Sequence, residues 1–354
     1  MISRIASARA WPAAVTALLI LCIGQLGRLP VPDAYRQPED RSYRLLEERV
    51  TSRASDRPFV QPDVVVMGDS RVQFGISPTT LARHLRLAVA GNRSPIVLNL
   101  AAPAAGFATD LWLWRRLTRS ARRMPALLIV GVSELQLTGI GPGRDMALRY
   151  HFGLSDTSWL LRSGRAADVA TMLTYRLLPL YARRLSIRNW MARHRYLEFP
   201  RPAPRRELRR YYNWYEKYCV DPFEQTSLDA LIRAAQGAGS RVVLVSPPIS
   251  AIHLAMADGG LPPPGIIPAS QLRNRRKPRT SPLRLFEAAI SRCAMRHQVP
   301  YFDYLTLEQS ARFQYWDTDH LSFTHEGGRK FTRELAERIN ELLVPAARRD
   351  DSRR

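Results

Sequence analysis

The sequence predicts an α/β protein in which a parallel β-sheet, built from crossover units, carries helices on both faces. Three observations point to it. The runs "DVVVMG", "PIVLNL", "ALLIVG" and "RVVLVS" are continuously apolar rather than alternating, as strands covered on both faces are. Segments of helical periodicity separate these runs at crossover spacing. The runs also end on Gly, Asn or Ser-Pro, residues that turn a chain.

The elements follow in order. Arg4 and Arg9 precede an uncharged run from Trp11 to Gly24. Extended to Gly27, it approaches the roughly 20 residues that span a bilayer. Residues 1–28 are expected to be an uncleaved signal anchor, with the basic end cytoplasmic and the remainder exported. A Pro-rich linker and a short helix near 42–53 fill residues 29–59. The first core strand runs into Gly68, and "SPTTLARHLRL" is the helix after it, with Pro78 in its first turn. A second strand ends at Asn99, "FATDLWLWRRLTRSARR" is helical, and a third strand starts at Ala126.

Residues of about 136–218 show no buried-strand pattern and read as a mainly helical, basic insertion. Positions 141–220 hold 16 Lys and Arg against 6 Asp and Glu. The alternation resumes with the helix "SLDALIRAAQGAG", the strand "RVVLVS", the helix "PLRLFEAAISRCAMRH" and the short strand "VPYFDY". An amphipathic helix containing "ELAERINELL" closes an α/β domain of about 60–350.

Of the residues, 45% are hydrophobic and 24% charged, a globular composition. A formal net charge of +22 draws acidic polymers, anionic headgroups or nucleic acid through its field. No nucleic-acid recognition motif accompanies it, so no nucleic-acid partner is expected. Cys22 lies in the apolar run; an oxidising compartment would permit a bridge between Cys219 and Cys293, but they are expected to be two unlinked, buried thiols. The absence of CxxC or His-rich spacing predicts no metal.

Gly68-Asp69-Ser70, at the end of the first strand, has two readings. It is a turn with a helix cap, or it presents Ser70 as a nucleophile at the edge of the sheet. A serine hydroxyl needs a base to take its proton, and the base needs a carboxylate to orient it. Asp317-Thr318-Asp319-His320, before the last helix, supplies both. Asp317 has the spacing to reach back to one ring nitrogen of His320, and Asp319 ranks second. Arg71 is expected to be a salt-bridged surface residue. His151, His194, His253 and His297 have no partners at a diagnostic spacing. The aromatics of "RRELRRYYNWYEKY" are expected to pack on the core.

Gly-Asp-Ser after the first strand together with Asp-x-x-His before the last helix resembles the SGNH (GDSL-like) hydrolase family. The resemblance covers about residues 60–135 and 225–345. It implies a flavodoxin-like three-layer sandwich with Ser70 as nucleophile, His320 as base and Asp317 orienting it. It also implies an oxyanion hole from the Ser70 amide, a glycine after the second strand and an asparagine after the third. Here Gly106 is the glycine available, with the Ala102 or Ala105 backbone as substitutes, and Ser133 stands at the asparagine position. Family members with an N-terminal anchor and an Asp-x-x-His-Leu ending resemble proteins that move acyl groups, often acetyl, on envelope or exported polysaccharide. That implies an acyl donor and a glycan acceptor, no cofactor, and a single-pass inner-membrane protein with its catalytic domain in the periplasm. A membrane-bound O-acyltransferase is the implied neighbour. The alternative is a non-catalytic SGNH-fold scaffold or polysaccharide-binding protein.

Overall fold

Branched apolar residues favour extended backbone, and the apolar runs form five strands: β1 (Val64–Met67), β2 (Val97–Asn99), β3 (Leu127–Gly131), β4 (Arg241–Ser246) and β5 (Tyr301–Asp303). The computed structural model describes residues 61–87, 93–138, 147–149, 151–178, 211–259, 280–315 and 326–343, together with Leu18 and Cys22. All strand pairings are parallel, in the order β2-β1-β3-β4-β5. Val65 lies opposite both Leu98 and Leu128, Ile129 opposite Val243, and Val245 opposite Phe302.

The helices are α1 (Ser70–Gly75) and α2 (Pro78–His84) after β1, α3 (Phe107–Ser120) after β2, and α4 (Glu134–Leu137) after β3. Next come α5 (Thr157–Arg162), α6 (Ala166–Leu177) and α7 (Pro222–Gly237), the last leading into β4. Then α8 (Ala251–Ala257) and α9 (Pro282–His297) precede β5, and α10 (Leu307–Ala311) and α11 (Glu326–Leu343) follow it. Short polar residues start several of them. Ser77, Asp221 and Ser281 each cap a helix through the side chain, with proline next in the chain, where its missing N–H costs nothing.

Strand side chains alternate between faces, so each strand feeds two cores. Val64, Val66, Leu127, Ile129, Val243 and Val245 meet Val72, Ile76, Leu81, Phe331, Leu335 and Ile339 from α1, its C-cap, α2 and α11. The opposite face, with Val65, Met67, Leu128 and Val130, is also fully buried, and α3, α7 and α9 pack together on that side. The result is the three-layer α/β sandwich expected. On the first face Asn340 Nδ2 donates to the His84 carbonyl at 2.9 Å, and the Thr332 hydroxyl accepts from the Ser77 amide at 3.0 Å.

The helix expected to start at Pro78 is α2. An additional helix precedes it: α1 begins at Ser70, directly after the strand, because the Asp69 carboxylate accepts from the Arg71 amide at 2.9 Å and caps it there. The chain divides into one unit of residues 1–45 and 145–201 and a second of residues 46–144 and 202–354. In the first, α5 and α6 pack on each other, and the Arg149 guanidinium lies 5.3 Å from the Tyr175 ring centroid. The second holds the sheet. Among the described residues no helix is long and apolar enough to cross a membrane. The run Trp11–Gly24 lies outside them except for Leu18 and Cys22, both helical.

Candidate functional site

In the order β2-β1-β3-β4-β5 the chain leaves β1 toward one edge and then returns to the other side of it. Connections diverge between the carboxyl ends of β1 and β3, and that crevice is where open α/β sheets hold ligands. The loops there are Gly68-Asp69-Ser70 and Val132-Ser133-Glu134.

Gly68 is needed at its position twice over. Its φ of +142° suits glycine, and a Cβ there would stand 2.7 Å from Val72 Cγ2. A Cβ on Gly131, at the end of β3, would overlap the same Val72 methyl. The two glycines make a slot for Val72, which pins α1 between the strand ends and fixes where Ser70 stands. Ser70, half-buried, is the first residue of that helix.

Beside it the chain buries charge. Asp69 is 3% exposed and accepts from the Ser133 hydroxyl at 2.7 Å. Burial holds its carboxyl above the ordinary range against the pull of Arg71 and Ser133. Arg71 is buried, not at the surface, and forms a two-pronged ion pair with Glu134 at 2.7 and 2.6 Å. Burial alone would raise the Glu134 carboxyl, but the Arg71 guanidinium and the Tyr215 hydroxyl bring it down to about 2. Tyr215 donates to Glu134 at 2.6 Å and lies 3.1 Å from His253 Nδ1. His253 also stands edge-on to the Tyr211 ring, with centroids 4.3 Å apart. The aromatics of the Tyr-rich run thus pack inward, as expected, while His253 has partners that no local spacing revealed.

A second acidic pair lies behind the β2 loop. Glu224 of α7 accepts from the Ala108 amide at 3.0 Å and so caps α3 from a distance. Gly106 is the α3 N-cap residue, and a Cβ on it would meet the Glu224 oxygens at 2.8 Å. Asp110 is fully buried. Burial, with the Glu224 and Asp69 carboxylates nearby, pushes it well above its usual range, although the Gly68 amide pulls the other way.

Ser70, Gly106 and Ser133 all stand at the carboxyl edge of the sheet. The Ala102 amide donates to the Gly68 carbonyl and the Ala105 amide to the Ala102 carbonyl, so both substitutes for Gly106 are already engaged. The Ser133 hydroxyl directs its proton to Asp69 and its amide donates to Gln136 Oε1. An oxyanion role would require that hydroxyl to turn. Asp317, Asp319 and His320 lie outside the described residues; Gln314 before them and Gly327 after them lie close together. Gly327, at the start of α11, packs against the Gln314 carbonyl with no room for a side chain.

No protein-family model matches the chain, and a comparison with curated proteins finds no match. Among solved structures it is similar to the psychrotrophic esterase EstA from Pseudoalteromonas sp., in a form inhibited by monoethylphosphonate. The identity is 12% and the TM-score 0.36, over 79% of this chain and 97% of that one.

Proposed function

We propose that the chain is a serine acyl esterase or O-acyltransferase of the SGNH type, anchored at the inner membrane and acting on acylated, chiefly acetylated, envelope or exported polysaccharide. The observation that carries this reading is the position of Ser70: first residue of a helix at the β1/β3 switch point, held there by the Val72 slot. Ser70 attacks the acyl carbon, His320 takes the hydroxyl proton, and Asp317 orients the imidazole. The oxyanion rests on the Ser70 amide and the Gly106 region. The leaving oxygen receives the proton from His320, and the acyl-serine passes to a sugar hydroxyl or to water. The anchor of residues 1–28 presents the domain to the periplasm.

The test is turnover of an activated acetyl ester and labelling by a fluorophosphonate, both on the full chain. Ser70→Ala or His320→Ala lowers turnover by at least about 10³-fold and abolishes labelling, and the double variant is hardly worse because triad members act as a unit. Ser70-independent turnover would overturn this function. One observation favours the second reading, a non-catalytic polysaccharide-binding scaffold: Ser133, at the oxyanion position, spends its hydroxyl proton on Asp69. On that reading the wild type neither turns over ester nor takes up the label, yet still binds glycan.

A further inference from the structure

On the face of the sheet covered by α7 and α9, well apart in sequence from Ser70, three unlike ligating side chains converge. Cys293 and His297 are four residues apart on α9 and therefore share one helix face. Asp229 reaches them from α7. His297 Nε2 lies 2.7 Å from Asp229 Oδ1, and the Cys293 thiol donates to that same oxygen at 3.3 Å. The three donor atoms all lie within 4.8 Å of one another. The Asp229 Oδ2 atom accepts from Arg296 at 2.7 Å. Gln236 Nε2 donates to the His297 carbonyl at 2.9 Å, fixing the helix end that carries the imidazole.

We propose that Asp229, Cys293 and His297 form a three-ligand site for a divalent cation of the zinc class. Thiolate, imidazole and carboxylate in one small volume suit a borderline-soft ion that prefers four-coordinate geometry. Asp229 Oδ1 now faces both a thiol and a ring nitrogen, so an ion between the three replaces two hydrogen bonds with three coordinate bonds. Binding is balanced simply: the thiol proton, and the Nε2 proton where present, leave to solvent. Arg296 then holds the distal carboxylate oxygen, a role typical of groups behind a metal ligand.

Burial separates this from a thiol nucleophile. Cys293 is 1% exposed, so no substrate reaches its sulfur, whereas the side chains of His297 and Asp229 are 9% and 15% exposed. The fourth position opens on that side, to water. A cation held there bridges α7 and α9, two neighbouring crossover helices, and stabilises their packing by linkage to binding.

The experiment uses the untagged full chain, stripped of metal and titrated with Co²⁺. The expected result is one equivalent bound with a thiolate-to-cobalt charge-transfer absorption, discharged by Zn²⁺. The absorption disappears in Cys293→Ala and is retained in Cys219→Ala, which removes an exposed thiol. His297→Ala, at the partly exposed end of the helix, binds at least about 100-fold more weakly and loses the Zn²⁺-induced rise in Tm shown by the wild type. Absence of the thiolate band in the wild type, its persistence in Cys293→Ala, or an equal Tm rise in His297→Ala would overturn the site and leave a plain Asp229–Arg296 ion pair with His297 hydrogen-bonded to it.

Discussion

Replacing Glu134 by Gln keeps the size of the side chain and removes the charge that Arg71 faces. Both partners are essentially solvent-free, with side chains 2% and 0% exposed. The guanidinium would remain buried without the carboxylate that it grips, a change that costs about 3–5 kcal/mol. The same Arg71 contact holds the Glu134 carboxyl low, and the shift is of the same order of magnitude. That carboxyl falls from 4.5 to about 2, and at roughly 1.4 kcal/mol per tenfold this is about 3 kcal/mol. The sign follows from linkage: a carboxyl depressed by folding contributes its full stability above about 4.5 and loses it as pH falls toward about 2. Equilibrium urea unfolding of wild type and Glu134→Gln should therefore differ by about 3 kcal/mol at neutral pH. The difference should shrink in acid and nearly vanish at the lowest pH. A difference below about 1 kcal/mol at neutral pH, or one that does not change with pH, would refute the reasoning. An apolar replacement of both partners should recover most of the loss, because the pair's attraction and its desolvation nearly cancel.

Asp110→Asn tests the opposite case. Folding raises the Asp110 carboxyl well above 3.8, so the native state keeps a proton that the unfolded chain releases, and wild-type stability from this group falls as pH rises. The asparagine variant lacks that slope, and in unfolding titrations it should gain on the wild type as pH rises above the ordinary carboxylate range. Gly131→Ala should destabilise by about 1–3 kcal/mol through overpacking. Val72→Ala should rescue part of that cost, because the new methyl collides with Val72 Cγ2. Purely additive losses in a double-mutant cycle would rule out the slot as the cause.

The layers of the fold were legible because local signals carried them. β4 coincides with "RVVLVS" and α9 with "PLRLFEAAISRCAMRH", where a continuous apolar run or a Ser-Pro start suffices. Helix α1 leaves no sequence signal because six residues are too few for periodicity to register, and Gly-Asp-Ser serves equally as a turn. The contacts that cross between distant segments are nearly invisible for another reason. Arg71 meets Glu134 from 63 residues away, Tyr215 meets Glu134 from 81, and Cys293 meets Asp229 from 64. Glu134 carries no signal in the sequence beyond standing next to Ser133, and His297 shows no ligand spacing until α7 is laid beside α9. Charged residues at such separations pair only once the sheet order has been set, so spacing along the chain holds no trace of them.

The buried acids explain how loops that share no strand are kept in one arrangement around Ser70. Asp69 joins the β1 loop to Ser133 of the β3 loop. Arg71 and Glu134 join α1 to α4, and Tyr215 extends that link to α8 through His253. Glu224 ties α7 to the start of α3, and Asp110 ties α3 to the amide of Gly68. Apolar contacts at these places would be at least as stabilising, since burying charge is seldom a net gain. They would also permit several packings of similar energy, whereas a hydrogen-bonded ion pair accepts few geometries. A nucleophile displaced by about 1 Å loses on the order of 10²-fold in rate. A web of directional bonds across the loops after β1, β2, β3 and β4 therefore trades stability for a fixed Ser70, the condition that the proposed acyl transfer sets and that a passive scaffold would not.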